Sequence, residues 1–281
     1  MKMNFRGKKG DTVHVPSPTR GSASAKGATN AVTLIAATEN EVQISIDKHY
    51  EYSRLIEDIV ETQALTSLRQ FYTDDAGYAL AKQVDTDLIQ LGRAFNGATI
   101  GTNDYATSAA STKAYIGSDG TTAYNSSTSN AAALTDAAIR RTIQRLDDND
   151  TPMDGRFFII PPSSRNTLMG LARYTEKAFV GNGNAIRNGE IGNLYGIPVF
   201  VTSNADYGAG NTGADRICLM GHRDAMVLVE QMGVRSQTQY KQEYLATLYT
   251  ADMIYGVKAM RTAATTGAAT SSSAFALAVP A

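Results

Sequence analysis

The chain contains few of the residues from which catalytic and metal sites are built. It has three histidines, one cysteine and no tryptophan. A single thiol cannot form an internal disulfide, which is typical of folding in the reducing cytosol. No segment approaches the roughly 20 consecutive apolar residues of a membrane-spanning helix. The basic start of the chain has no apolar run after it. We therefore expect neither a secretory leader nor a membrane anchor.

Charge is scarce as well, and the two signs nearly cancel. Charged residues make up 19% of the chain and the formal net charge is −1. No strong overall field therefore attracts nucleic acid or an anionic membrane. The length of 281 residues and the 43% hydrophobic content predict a globular protein with one large domain or two in close contact.

Motifs for enzymatic chemistry are missing too. No G-x-S-x-G nucleophile turn and no phosphate-binding loop is present. Residues 147–155 resemble a calcium loop but lack its sixth-position glycine and closing glutamate, so a helix end and turn is preferred. Cys218 lies in an apolar strand and is predicted to be an inert core thiol. His14 and His49 would make only an incomplete zinc site, and His222 is predicted to lie in a turn or to cap a helix. We expect no catalytic residue, cofactor or metal.

Alternation with a period of two predicts a ribbon near the start of the chain. In "EVQISIDKHYEYSRLIED" the side chains of Val42, Ile44 and Ile46 fall on one face. The predicted partner strand is "DTVHVPSP", with Val13 and Val15. An isolated two-stranded ribbon is marginally stable in water. We therefore expect its apolar face to be buried mainly against another subunit.

A long apolar stripe predicts a helix of about eight turns from Leu65 to Phe95, well above the usual length. Its members recur every three or four residues: Leu65, Leu68, Tyr72, Ala76, Leu80, Val84, Leu88, Leu91 and Phe95. Residues 98–133 are rich in Thr, Ser, Ala, Gly and Asn, which predicts a surface insertion.

The second half of the chain alternates helices with strands. Thr135 is predicted to cap a helix whose apolar face is Ile139, Ile143 and Leu146. Another helix is predicted to begin at Ser163 or Ser164. The apolar runs "RFFII", "IPVFVTS", "DRICLMG" and "AMVLVEQ" are predicted strands, and the segment after them is extended or helical in parts. This half is predicted to be mixed α and β.

Six segments, in this order, resemble the major capsid protein of tailed bacteriophages: "GDTVHVPSP", "ISIDKHYEYSRLIEDIVETQ", "YTDDAGYALAKQVDTDLI", "RFFIIPPSSRNTL", "IRNGEIGNLYGIPVFVTSN" and "YGVKAMRTAA". The resemblance covers nearly the whole chain. It implies the α+β Hong Kong 97-type capsid fold, with an extended β-ribbon loop, a long spine helix, and peripheral and axial domains. The implied divisions are a lead-in and extended loop (1–60), a peripheral domain with spine helix and insertion (61–133), an axial domain (134–253), and a return to the peripheral domain with a tail (254–281).

The same resemblance implies a structural role and no enzymatic activity. Many copies would form pentamers and hexamers and self-assemble into an icosahedral head. That head would enclose double-stranded DNA without reading its sequence. The implied location is the virion, after assembly in the host bacterial cytoplasm, with portal, scaffolding or decoration proteins as partners and no membrane. Two alternatives remain: an encapsulin-type shell around an enzyme, and a hydrolase or ligand-binding protein with its site at the Gly/Asn-rich loop 181–193.

Contacts between subunits are expected at eight residues of the ribbon, which is predicted to span residues 11–58: Val13, Val15, Lys26, Ile44, Ile46, Lys48, Tyr50 and Glu51. The apolar ones would pack on a neighbour's spine helix, and the charged ones would set the register through weak exposed contacts. Some members of the resembled family cross-link through a lysine in the extended loop. Lys26 lies there, but no motif provides its partner, so no cross-link is predicted.

Overall fold

A computed structural model of the chain describes residues 1–18, 23, 25–28, 34, 39–59, 68–95, 105, 114–125, 128–171, 193–208, 215–260 and 273–281. Its elements form a two-stranded ribbon, a four-stranded sheet covered by a long helix, and a six-stranded sheet with two shorter helices. The described helices include none that is long and apolar enough to span a membrane.

The ribbon consists of β2 (Thr12–Pro18) and β3 (Glu39–Ser45). The two strands pair antiparallel with Val13 opposite Ile44, which confirms the predicted pairing. The segment after β3 does not continue the ribbon as predicted. Ile46 and Asp47 separate β3 from β4 (Lys48–Glu57), which leaves the ribbon and joins the four-stranded sheet.

The four-stranded sheet has the order β1-β10-β11-β4. Its two central strands, β10 (Met226–Lys241) and β11 (Ala246–Ala259), form a long antiparallel hairpin. A single 3₁₀ turn, Gln242–Tyr244, joins them. The sequence predicted an extended or partly helical segment here, and the structure shows that it is extended. The edge strand β1 (Lys2–Asn4) runs parallel to β10.

The long helix α1 (Leu68–Gln90) packs on this sheet. The middle of the predicted stripe is confirmed, because Ala76 and Leu80 are buried against Ile56, Met253 and other residues of β4 and β11. The last predicted turn is instead a 3₁₀ turn, Leu91–Ala94, followed by the fully buried Phe95. The first predicted turn, including Leu65, lies outside the described residues.

The six-stranded sheet has the order β5-β12-β9-β6-β8-β7. The six strands are β5 (Tyr115–Ile116), β6 (Arg156–Ile160), β7 (Asn193–Leu194), β8 (Ile197–Val201), β9 (Asp215–His222) and β12 (Ala274–Pro280). The two shorter helices are α2 (Asp136–Asp148) and α3 (Pro162–Met169).

The shorter helices largely follow the sequence. The hydroxyl of Thr135 accepts a hydrogen bond from the Ala138 amide at 3.4 Å, which confirms the predicted cap. Ile139 and Leu146 are fully buried and Ile143 is partly buried, so the predicted apolar face is confirmed. The helix α3 begins at Pro162 rather than at a serine, because proline needs no amide partner in the first helical turn.

The last strand of the chain is an inner strand of the six-stranded sheet. The strand β12 lies between β5 and β9, so residues 274–280 belong to this sheet. The fully apolar run "FALAV" suits a central strand that is buried on both faces. The strand β10, which directly follows β9 in the chain, belongs instead to the four-stranded sheet.

Candidate assembly surfaces

The base of the ribbon is buried in its own subunit. Ile44 is 0% exposed and packs with Val227 and Val229 of β10. Six partly buried side chains surround these three: Met3, Phe5, Val13, Val15, Ile46 and Met260. The expectation that this face is buried mainly against another subunit is therefore wrong for Ile44, which has no exposed surface left for such a contact. We call this cluster the ribbon-base core.

Two more of the predicted contact residues, Lys48 and Tyr50, are half-buried and have partners within the subunit. The Nζ of Lys48 is 3.2 Å from Oδ2 of Asp87 on α1, and the Tyr255 hydroxyl donates to the same oxygen at 2.7 Å. The ring of Tyr50 lies 5.9 Å from that of Tyr255. These contacts join β4, β11 and α1. Lys48 and Tyr50 thus stabilise the subunit, which corrects their assignment to the projecting ribbon.

The carboxylate of Asp87 determines the charge of this cluster. Burial alone would lower the pKa of Lys48, but Asp87 outweighs it and raises that pKa above its ordinary value. Lys48 therefore stays cationic. Asp85, two residues earlier, is exposed while Asp87 is buried, which confirms that the two carboxylates do not share a face of the helix.

The other charged residues of the predicted set remain accessible. Lys26 and Glu51 are both exposed. On the outer side of the ribbon, Nδ1 of His14 is 3.0 Å from Oε2 of Glu41, and Gln43 donates to Oε1 of Glu41 at 2.6 Å. Hydrogen bonds from Gln43 and His14 lower the pKa of Glu41. This polar surface is accessible to a second chain.

An exposed apolar surface that the sequence analysis missed lies at the end of the long hairpin. Leu55, Tyr240, Tyr244 and Leu245 lie at this end of the sheet and are 41% to 67% exposed. We call these four residues the hairpin tip. Leu245 has the left-handed conformation, with φ of 46°. Alternation in "RSQTQYK" and "ATLYTADM" was the available signal, but it does not show which face is left uncovered.

A second apolar surface runs beside the long helix. A groove of about 730 Å³ lies between α1 and the edges of the two sheets, and its lining includes Leu88, Ile89, Phe157, Ile159, Phe200 and Leu228. Phe200 is more than half exposed. Phe71 and Tyr78 are also exposed on α1. Large exposed apolar side chains that lie together are typical of protein interfaces.

The side chains considered for chemistry have structural partners instead. Cys218 is fully buried, and burial raises the pKa of its thiol to about 12. His14 lies by Glu41 and His49 by Asp252, so the two histidines do not form a shared site. His222 accepts from the Asp224 amide at 3.2 Å and caps a short turn. Among the described residues, no three His, Cys, Asp or Glu side chains are grouped to hold a metal ion.

The remaining candidates are a turn and a loop. In the stretch that resembled a calcium loop, the carboxylate of Asp147 accepts a 2.6 Å hydrogen bond from Arg156. Asp147 lies in α2, and the residues after it form the predicted helix end and turn. The Gly/Asn-rich loop 181–193 lies outside the described residues except for Asn193.

Comparison with known proteins agrees with this architecture. A family model described as phage capsid protein matches residues 4–266. No curated protein matches the sequence. Among solved structures, the capsid of Cyanophage P-SCSP1u is similar with a TM-score of 0.69 and 21% identity, over 98% of this chain and 85% of that one.

Two further structures have the same fold at low identity. A chain of Mycobacterium phage Che8 has a TM-score of 0.68 and 20% identity, over 96% of this chain and 85% of that one. The head of Helicobacter pylori bacteriophage KHP40 has a TM-score of 0.68 and 12% identity, over 99% of this chain and 88% of that one. The chain therefore belongs to the phage capsid protein family and has the α+β Hong Kong 97-type capsid fold.

Proposed function

We propose that this protein is the subunit of an icosahedral shell that self-assembles from pentamers and hexamers and encloses the double-stranded DNA of a tailed bacteriophage. The family match over residues 4–266 carries this proposal. The fold supports it, since the ribbon-base core is buried within the chain while the hairpin tip is left exposed. The exposed tip would then be covered by other copies of the chain.

The protein acts by assembly and not by turnover of a substrate. A formal net charge of −1 fits a shell that contains DNA without binding it by sequence. Its location is the virion, after assembly in the host bacterial cytoplasm. Its further partners are portal, scaffolding or decoration proteins, and no membrane takes part.

Electron microscopy of the purified protein tests the proposal. The wild-type chain is expected to form closed shells of uniform diameter under some assembly condition. A chain that stays monomeric under every condition, including with proteins of its own phage, would overturn the function.

The variant Leu245→Asn tests the hairpin tip separately. Asparagine tolerates the left-handed conformation, so the hairpin should stay folded while an exposed apolar side chain is lost. We expect each contact at the tip to weaken about tenfold, which corresponds to about 1.4 kcal/mol, and the yield of closed shells to fall by at least that factor because the contact recurs in every subunit. Met153→Asn is the matched control, because Met153 is 76% exposed but lies in a turn away from the tip. Normal shells from Leu245→Asn would show that the tip is not a contact.

A further inference from the structure

Among the described residues, the two ribbon strands β2 and β3 pair only with each other. The Ile46 amide closes the base of the ribbon by donating to the Asp11 carbonyl at 2.7 Å. A two-stranded ribbon of this kind does not fix its own direction. The direction in which it leaves the subunit is therefore set by side-chain packing in the ribbon-base core.

The edge strand β1 contributes to that core from outside. Its register on β10 places Met3 opposite Val229 and Lys2 opposite Leu228. Side chains alternate across a strand, so Met3 and Phe5 contact the ribbon-base core while Lys2 faces the side of the sheet that carries α1. The first six residues thus lie along β10 and cover one side of the ribbon base.

One buried carboxylate holds this segment in place. Glu230 is 8% exposed, and its Oε2 is 2.6 Å from Nζ of Lys2. Its Oε1 pairs with the guanidinium of Arg6, and its carbonyl accepts from the Phe5 amide at 2.9 Å. Hydrogen bonds from Lys2 and Arg6 lower the pKa of Glu230. The carboxylate is therefore bonded to the segment at both of its oxygens.

Residues 7–10 extend the contact with β10 and lead into the ribbon. The side-chain amide of Gln231 donates to the carbonyl of Lys8 at 3.2 Å and to that of Gly10 at 2.9 Å. Gly7 and Gly10 have φ values of 75° and 129°, which favour glycine. The chain turns there and enters β2. The first ten residues are thus bound to β10 up to the point where the ribbon begins.

We propose that residues 2–6 act as a strap that sets the angle of the ribbon for shell assembly, and that Glu230 is the positioning residue that holds the strap. Only the role of the ribbon angle in assembly rests on the proposed function, since the strap itself is a property of the single subunit. Loosening the strap would leave the subunit folded and would let the ribbon adopt several directions. Shells would then close incorrectly or not at all.

Hydrogen exchange on the unassembled full chain tests the strap. In Glu230→Gln the side-chain volume is kept but both charged pairs are lost. The amides of β3 are expected to exchange about tenfold faster, as the loss of a charge-assisted contact predicts. The amides of β9 and β12, in the other sheet, should be unchanged. Unchanged exchange in β3 would overturn the proposal.

A matched control separates the strap from a general weakening of the sheet. Asp252→Asn removes another carboxylate that is 8% exposed and has two side-chain partners, Arg235 and His49, in the same sheet. It does not touch the strap, so exchange in β3 should change by less than about twofold. An equal acceleration in both variants would contradict the strap.

Restoring the ion pairs of residue 230 with residues 2 and 6 distinguishes loss of the strap from a general loss of stability, because only the former should be reversed. The triple variant Lys2→Glu, Arg6→Glu and Glu230→Lys reverses the charges and should return β3 toward wild-type exchange.

Should Glu230→Gln fail to fold, Phe5→Ser opens the strap from its apolar side and must accelerate exchange in β3 alone. Failure of the wild-type chain to form shells would overturn the proposed function but would leave the exchange comparison valid. Wild-type exchange of the β3 amides in the strap variants would overturn only the strap.

Discussion

At the scale of single residues, buried charges are paired within the subunit. Arg93, in the turn after α1, donates two hydrogen bonds to Asp206, at 2.7 and 2.6 Å. Arg235 donates two to Asp252, at 3.1 and 2.8 Å. A buried ion costs several kcal/mol unless it is paired and hydrogen-bonded. The buried carboxylates of these pairs are therefore committed to the fold. We predict that contacts with other chains use exposed side chains such as Lys26 and Glu51.

Acid sensitivity is also set by individual residues. Burial alone would raise the pKa of Asp119, but the hydroxyl of Thr122 and the amides of Thr121 and Thr122 donate to its carboxylate and lower that pKa to about 2. A folded-state pKa below the ordinary value of 3.8 stabilises the protein above pH 3.8. This contribution is lost as the pH falls from 3.8 to about 2.

We therefore predict that Asp119→Asn destabilises the protein at neutral pH but not in strong acid. The measurement is the free energy of urea unfolding for both chains across that pH range, and the two values should converge as the pH falls. Asp74→Asn, at an exposed position on α1, is the control and should show no such convergence. A difference between Asp119→Asn and the wild type that is independent of pH would contradict the assigned role of these hydrogen bonds.

At the scale of elements, the ribbon base and the four-stranded sheet approach so closely that only glycine fits between them. A Cβ on Gly256 of β11 would lie 2.3 Å from the carbonyl oxygen of Ser45 and 3.1 Å from Cα of Ile46. Both are backbone atoms, so the chain at the end of β3 would have to move. This approach and the ribbon-base core fix the ribbon on the sheet from two sides.

Gly256→Ala is accordingly predicted to destabilise the chain by about 1–3 kcal/mol, the usual cost of overpacking. Gly77→Ala is the matched control, because Gly77 lies in the exposed middle of α1 with nothing within 4 Å of a new Cβ. That change should stabilise by about 0.5–1 kcal/mol, since alanine favours a helix. Urea unfolding of both variants measures the two changes in the free energy of unfolding. If both variants changed it equally and with the same sign, the close approach of Gly256 to Ser45 would not be the cause of destabilisation.

Elements with a strong period could be predicted from the sequence, whereas their partners could not. The pairing of β2 with β3 and the helix capped by Thr135 follow from alternation, periodicity and capping. The split between β3 and β4 at Ile46 was missed, because alternation continues through it. The burial of Ile44 against Val227 was missed because these residues are far apart in the sequence, and only the fold brings them together.

At the scale of the whole molecule, two cores are joined by a few connections. One core lies under α1 in the four-stranded sheet, and the other lies between the six-stranded sheet and its helices. A third cluster around Phe95 and Leu219 lies between them, and the Arg93–Asp206 pair spans the same junction. In the part of the chain that the structure describes, the ribbon packs on the four-stranded sheet and not on the six-stranded one, so a change at its base should affect the first sheet before the second.

Ile44→Asp is the substitution that tests this separation. It places a carboxylate in the ribbon-base core, where Val227 and Val229 are fully buried. An unpaired buried charge costs about 3–5 kcal/mol. The ribbon base is expected to open, because that exposes fewer apolar side chains than unfolding of either sheet.

Hydrogen exchange and electron microscopy of the same sample measure the result. Amides of β3 and of the adjacent part of β10 should exchange much faster, while those of β9 and β12 keep wild-type protection, and no closed shells should form. Gln43→Asp, at an exposed position of β3, is the control and should leave exchange in β10 unchanged. Loss of protection in β9 together with β3 would show that the two layers unfold as one unit. Closed shells of normal stability from Ile44→Asp would show that assembly does not depend on a fixed ribbon base.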